Sequence, residues 1–299
     1  MTQRVAITGA SGLIGGALSS SLLERGDEVV HLVRRAPRTS SEVRWEPGSP
    51  LDPGALDGVD AVVNLAGAGI ADHRWSAEYR ATIRRSRLDS TRTLVRALAG
   101  LGRPVRLVSG SAIGVYGDDR GEALLPETAS CEPGFLPDVC RDWEAEAMLA
   151  AKDGHQVALA RTGIVLSTRG GALAKTLPLA KAGLAGPLGT GEQWWAWISL
   201  EDEVAALTFL LDHPEITGPV NLVAPEAARQ KDVFATLARL VSRPYGLPAP
   251  AAAIKFGLGG MSTELLGSRH VVPEVLTDAG FAFSRPDVES TLAAEVTRS

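Results

Sequence analysis

Eight residues near the start of the chain restrict its fold more than any other stretch: Thr8-Gly9-Ala10-Ser11-Gly12-Leu13-Ile14-Gly15. They follow an apolar run that reads as a buried strand, Arg4–Thr8, and they open a helical pattern, Ile14–Arg25, that stops at Gly26. Each glycine has its own task in such a turn. Gly9 permits the tight exit from the strand, Gly12 lets a ligand reach the backbone because no Cβ stands in the way, and Gly15 lets the helix lie close on the sheet. The unpaired N–H groups of the first helical turn, with the positive end of the helix dipole, favour an anionic group. A glycine triplet alone says little. Placed between a strand and a helix, this one points to a dinucleotide whose diphosphate rests on Gly9, Ala10, Ser11, Gly12, Leu13, Ile14 and Gly15.

The rest of the chain continues the same alternation. Glu28–Val33, Val43–Trp45, Asp60–Leu65, Val105–Ser109 and Gln156–Arg161 read as further strands, with a long helix over Ala77–Ala99. Near-continuous apolar strands separated by helices imply an α/β protein with a Rossmann-type doubly wound parallel sheet, covered on both faces. After Gly163 glycine and proline become dense through Gly191, which predicts loops and short helices built around a ligand. Helices follow over Ser199–Leu211 and Lys231–Ser242, with one more strand near Val220–Leu222. The expected organisation is a dinucleotide-binding domain over 1–163 and a smaller C-terminal substrate lobe over 164–299, interleaved with the sheet through the strand near 220–222. No polar linker separates the two.

The second strand ends Val33-Arg34-Arg35. A site that prefers NAD usually places a carboxylate there for the ribose hydroxyls. Two guanidinium groups suit a phosphate ester instead, because the planar fork gives bidentate, charge-assisted hydrogen bonds. NADP(H) is therefore the expected cofactor, with Arg34 or Arg35 on its 2′-phosphate; the alternative is a pair of solvated loop arginines.

Composition narrows the partners. The chain has 299 residues and a formal net charge of −5, which disfavours nucleic acid and anionic membranes. No apolar run is long enough to span a bilayer, and the glycines of the first turn argue against reading the start as a signal peptide. Cys131 and Cys140 read as reduced thiols of a cytoplasmic protein. The histidines at 31, 73, 155, 213 and 270 show no metal-ligand spacing, so no metal is expected. His270 could still enter a pocket from the terminal segment. The partner expected is a small organic substrate.

Several blocks together resemble the extended short-chain dehydrogenase/reductases. The likeness is to an atypical branch of them, an NAD-dependent epimerase/dehydratase-like family of unknown substrate. They are TGASGLIG at 8–15, NLAGAGI at 64–70, RWSAEYRATIRRSRLDSTRTL at 74–94, SGSAIGVYG at 109–117, RDWEAEA at 141–147, ARTGIVLSTRGGAL at 160–173, GPLGTGEQWWAWI at 186–198, GPVNLVAPE at 218–226 and ELLGSRHVVPEVLTDAGFAF at 264–283. The resemblance implies that Leu65, Ala66 and Gly67 line the cofactor groove. It places Arg87 near the cofactor, and Arg161, Thr162 and Gly163 beside the nicotinamide.

The same resemblance exposes a departure. Typical members use a Ser with a Tyr and a Lys spaced YxxxK. Ser111 fits the serine slot, but the YxxxK register reads Leu136-Pro137-Asp138-Val139-Cys140. Leucine carries no proton and cysteine no fixed positive charge. Ser111 and Tyr116 are left as catalytic candidates, with a strand-end cap and a packed turn residue as their plain alternatives.

Other features have bland readings beside sharper ones. Cys140 reads as a buried thiol, and Glu144 and Glu146 as a solvated helix face. Arg80, Arg84 and Arg87 share a helical face; Arg87 is the one expected to reach a ligand, and the others to be solvated or ion-paired. Trp194, Trp195 and Trp197 are either a pocket wall or core filler. Two functions fit: an NADP(H)-dependent oxidoreductase or epimerase, or a dinucleotide-dependent sensor or scaffold without chemistry. An ordinary nucleotide-sugar epimerase would need the missing tyrosine.

Overall fold

The computed structural model describes residues 2–298. Strands β1 (Arg4–Thr8), β2 (Glu28–Val33), β3 (Glu42–Arg44), β4 (Ala61–Asn64) and β5 (Arg106–Ala112), with the strands Gln156–Thr162 and Gly218–Leu222, form one sheet of seven. Every pairing in it is parallel. Across the sheet the order is Gly218–Leu222, Gln156–Thr162, β5, β4, β1, β2, β3. The chain therefore runs outward from β1 to β3, returns, and runs outward the other way from β4. The reversal lies between β1 and β4, and in doubly wound sheets the ligand crevice opens at that point.

Alternation along β1 shows why both faces are covered. Val5 and Ile7 enter one core with Leu18 and Leu22 of helix α1 (Leu13–Arg25), while Ala6 enters the other. That second core takes Leu94, Val95 and Leu98 from helix α2 (Ala77–Ala99) and Ala147 from helix α3 (Phe135–Met148). Helix α1 starts without a side-chain cap, because Gly12 stands at the capping position. It ends at Gly26, whose φ of 93° is the left-handed conformation that closes helices.

The glycine-rich stretch after Gly163 is more regular than its composition suggests. Ile164–Ser167 is a strand paired in parallel with Trp197–Ser199, and Gly171–Lys181 is a helix, α4, that carries Pro178. Helix α5 (Leu200–Asp212) then packs beside α1 on the main sheet, although it comes from the second half of the chain. Leu173 and Leu177 of α4, Phe234 and Leu237 of helix α6 (Gln230–Leu240) and Leu292 form a third core around Trp195 and Trp197. Two carboxylates fasten the terminal segment to it. Asp202 accepts from both the amide and hydroxyl of Ser284 and from the amide of Arg285, and Glu295 accepts from Thr168.

Sequence reading misses the bond that ties α5 to the sheet. Arg106 on β5 donates to the carbonyls of Leu210, Pro214 and Ile216 at 2.9, 3.2 and 2.8 Å, satisfying the open end of α5. Among the described residues no helix is long and apolar enough to cross a membrane.

Leu18 is fully buried between α1 and the sheet. Leu18→Ala is expected to lower stability by about 2–5 kcal/mol, read from the midpoint of urea unfolding.

Candidate active site

Thr8 and Asn64 sit at the C-terminal ends of β1 and β4, on the two sides of the strand-order reversal, and both are wholly buried. The Thr8 hydroxyl donates to Asn64 Oδ1 at 2.8 Å and accepts from the amides of Leu65 and Ala66 at 3.0 and 3.1 Å. Asn64 Nδ2 donates in turn to Thr91 on α2 at 2.9 Å. This network fixes where the loop after β4 leaves the sheet. Ser86 holds the same loop from α2, accepting from the Ala68 amide at 2.9 Å.

The glycine turn fits against that loop with no room for a side chain. A Cβ at Gly9 would stand 2.7 Å from the carbonyl oxygen of Leu65, and one at Gly15 would stand 2.4 Å from that of Gly9. Gly9 also has a φ of 70°, which L side chains rarely adopt. Ser11 and Gly12 are exposed at the start of α1. Gly12, at the start of α1, borders the cleft, and with no acidic residue in the first turn and no side-chain cap the first amides of α1 have no side-chain partner there.

The cleft has a volume of about 960 Å³ and runs from Gly9–Gly12 past Leu65–Gly69 to Arg34 and Arg35. The two arginines differ. Arg35 forms a two-pronged ion pair with Glu42, which holds that carboxyl down at about 2. Arg34 is exposed and makes no hydrogen bond or ion pair among the described residues, so its fork lies at the cleft unengaged. The donors and the open backbone fit a dinucleotide diphosphate with a further phosphate at the Arg34 end.

The catalytic candidates are placed differently from expectation. Ser111 is buried at the end of β5, and its hydroxyl donates to Glu144 Oε1 at 2.6 Å. Glu144 is not on a solvated face. It is buried and accepts from Nε and Nη2 of Arg161, at 2.8 and 2.9 Å. Arg161, expected beside the nicotinamide, thus has its guanidinium engaged by a buried carboxylate. Its Nη1 also donates to the hydroxyl of Tyr116 at 3.0 Å, and that hydroxyl donates to Asn221 Oδ1 at 2.7 Å. Tyr116 is wholly enclosed, and burial pushes its phenol up to about 12. An enclosed phenol held at both ends has no route to a ligand in the cleft, and this corrects its candidacy as proton donor. Glu146, the other glutamate read as solvated, is paired with Arg92 at 2.9 Å.

The remaining expectations divide in the same way. Cys140 is buried, and burial pushes its thiol up to about 12. Trp195 and Trp197 are core residues, with Trp197 Nε1 donating to the Glu226 carbonyl. Trp194 lies between Arg229 and His270, with ring centroids 4.1 Å apart in the second stack, so His270 packs on a ring. Thr162 donates to Glu203 at 2.8 Å, and a Cβ at Gly163 would stand 2.7 Å from the Ala196 carbonyl oxygen. These two hold the sheet end together. Among the described residues no three His, Cys, Asp or Glu side chains gather to hold a metal.

Sequence reading also missed Glu203, because its pattern inside α5 resembles any acidic first turn. It is fully buried, and burial pushes its carboxyl up to about 8.

Residues 5–222 match the NAD dependent epimerase/dehydratase family, and residues 249–295 match a domain of unknown function, DUF1731. An epimerase family protein of Mycobacterium tuberculosis is 42% identical over 296 residues, covering 98% of each chain. The structure of human epimerase family protein SDR39U1 (isoform 2) with NADPH superposes with a TM-score of 0.90 at 28% identity, over 99% of this chain and 100% of that one. A nucleoside-diphosphate sugar epimerase from Corynebacterium glutamicum superposes with a TM-score of 0.84 at 32% identity; it takes in all of this chain, which spans 59% of its length.

Two outcomes test the buried polar groups. Arg161→Met leaves Glu144 buried without its counter-ion and is expected to cost about 3–5 kcal/mol in urea unfolding. Glu203 gives a pH dependence. An unfolded glutamate titrates near ~4.3, so between there and about 8 the folded protein keeps a proton that the unfolded chain has lost. Stability is therefore expected to fall as pH rises through that window and to level off above it. In Glu203→Gln the unfolding midpoint is expected to vary less over the same range.

Proposed function

The chain belongs to the NAD dependent epimerase/dehydratase family, and from that premise we propose that it binds NADP(H) in the cleft between β1 and β4. The observation that carries this reading is the pairing of an uncapped α1 with the unengaged guanidinium of Arg34 in one cleft. The first amides of α1 receive the diphosphate over Gly9, Gly12 and Gly15, and Arg34 receives the 2′-phosphate by bidentate hydrogen bonds. Leu65, Ala66 and Gly67 form the wall opposite. The human relative whose structure holds NADPH supports the choice of NADP(H).

The protein is read as an oxidoreductase or epimerase acting on a small organic molecule in the cytoplasm. When bound, the nicotinamide supplies hydride transfer. The chain contributes position and charge. Ser111 is the polar side chain at the end of β5, and its proton is held by Glu144. Its lone pairs are thereby left to accept a hydrogen bond from a substrate hydroxyl.

A second reading is favoured by one specific arrangement. Leu136 and Cys140 fill the face of α3 where a proton donor and a fixed cation would stand, and Tyr116 is enclosed. A sensor or scaffold that binds NADP(H) without turnover has this form. Loss of NADPH absorbance across a panel of carbonyl compounds and enones separates the two readings, and turnover should disappear in Ser111→Ala.

Calorimetry of wild type with NADPH and NADH is expected to show preference for NADPH. Arg34→Ala is expected to weaken NADPH at least about tenfold, roughly 1.4 kcal/mol, with little effect on NADH. Equal affinity of the wild type for the two cofactors would exclude the assignment of Arg34.

A further inference from the structure

Arg80, Arg84 and Arg87 share one face of α2, and the structure places their charges in three different settings. Arg84 pairs with Asp142 across the seam to α3. Arg80 stacks on the rings of Trp75 and Phe135, 5.8 and 5.0 Å from their centroids. Arg87 lies along the loop after β4, where Gly67 leaves space for it: a Cβ there would stand 3.3 Å from the guanidinium carbon. Arg87 Nη1 donates to the carbonyls of Ala68 and Ile83, both at 3.0 Å, and the guanidinium sits 5.3 Å from the centroid of Trp143.

Arg87 has no carboxylate partner among the described residues. Burial lowers its pKa, and the groups that offset this are Cys140 and Tyr79 rather than an acid. Its Nε and Nη2 hydrogens make no hydrogen bond in the structure. Three other inward arginines are engaged through polar partners: Arg161 by Glu144, Arg269 by Glu264, and Arg106 by three carbonyls, whereas Arg80 has rings on it and an unpartnered Nε. Arg87 is half-buried, and its unbonded nitrogens are not among the enclosed ones, so they stay open to a ligand. A cation without a counter-ion that is braced against a ring and two carbonyls is preorganised for an anion.

Position separates this anion from the phosphates of a dinucleotide. Those have the start of α1 and Arg34. Arg87 stands at the seam of α2 and α3, beside Cys140 and Trp143, and Glu144, the residue after Trp143, holds Ser111. We propose that Arg87 binds an anionic oxygen of the substrate, so that the substrate class is a small organic anion carrying a carboxylate or a phosphate ester. This deepens the cofactor reading above and rests on it.

The experiment is calorimetric titration of the NADPH-loaded protein with malonate and, separately, with inorganic phosphate. At least one should bind the wild type, and the stronger of the two assigns carboxylate or phosphate. Arg87→Met is expected to weaken that anion about tenfold or more while NADPH affinity stays within about twofold. Arg87→Lys, which keeps the charge without the fork, should retain part of the binding, and Arg84→Met should retain all of it. The proposal is overturned if neither anion binds the loaded wild type or if Arg87→Met binds as well as wild type. Loss of NADPH affinity in Arg87→Met with retention in Arg84→Met also overturns it, since Arg87 would then be a cofactor residue. Failure of the wild type to bind NADPH shows before any anion is added; it defeats the cofactor reading and this inference with it.

Discussion

The hydroxyl of Thr8 is the joint on which the cleft depends. It donates once, to Asn64, and accepts twice, from the amides of Leu65 and Ala66. Four polar groups at the ends of two central strands are thereby satisfied away from water. Unsatisfied, each would cost on the order of 1–3 kcal/mol. Their mutual satisfaction sets the loop after β4 at one height above the sheet. The glycine turn then closes against that loop with backbone-to-backbone contacts that exclude any Cβ at Gly9. Backbone of the glycine turn and of the loop after β4 therefore lines the cleft.

Charge is distributed around this joint with an evident division of labour. At one end Arg35 is neutralised by Glu42 and Arg34 is left open. In the interior, Arg161 and Glu144 neutralise each other and hold Tyr116 and Ser111 in place. A buried pair of this kind contributes little net stability against an apolar substitute, yet breaking one side of it is costly. It therefore orients groups more than it stabilises the fold. Leu136 and Cys140 bring no charge to α3, and the cation nearest that face comes from α2 as Arg87.

The second half of the chain is bound to the first through the sheet and through α5. Gly218–Leu222 pairs with Gln156–Thr162, and α5 shares its core with α1. Arg106 and Asp202 add hydrogen bonds to backbone at positions far apart in sequence. The C-terminal half is thus built on the same sheet as the N-terminal half.

Local periodicity determined much of this. The β1–turn–α1 unit, the parallel sheet and the span Ala77–Ala99 follow from patterns within a few residues, where apolar alternation and glycine chemistry act directly. The Arg34–Arg35 pair and the Leu136 and Cys140 substitutions are likewise visible as residue types. Partnership is not. Arg34 and Arg35 are identical in sequence terms, and only the arrival of Glu42 from β3 separates them. Glu144 and Glu146 are the same residue type two positions apart, but one meets Arg161 and the other Arg92. Tyr116 reads as a reactive phenol until the strand Gly218–Leu222 brings Asn221 onto it. The burial of a charge and the identity of its counter-ion depend on contacts between distant segments, so tertiary structure alone decided them.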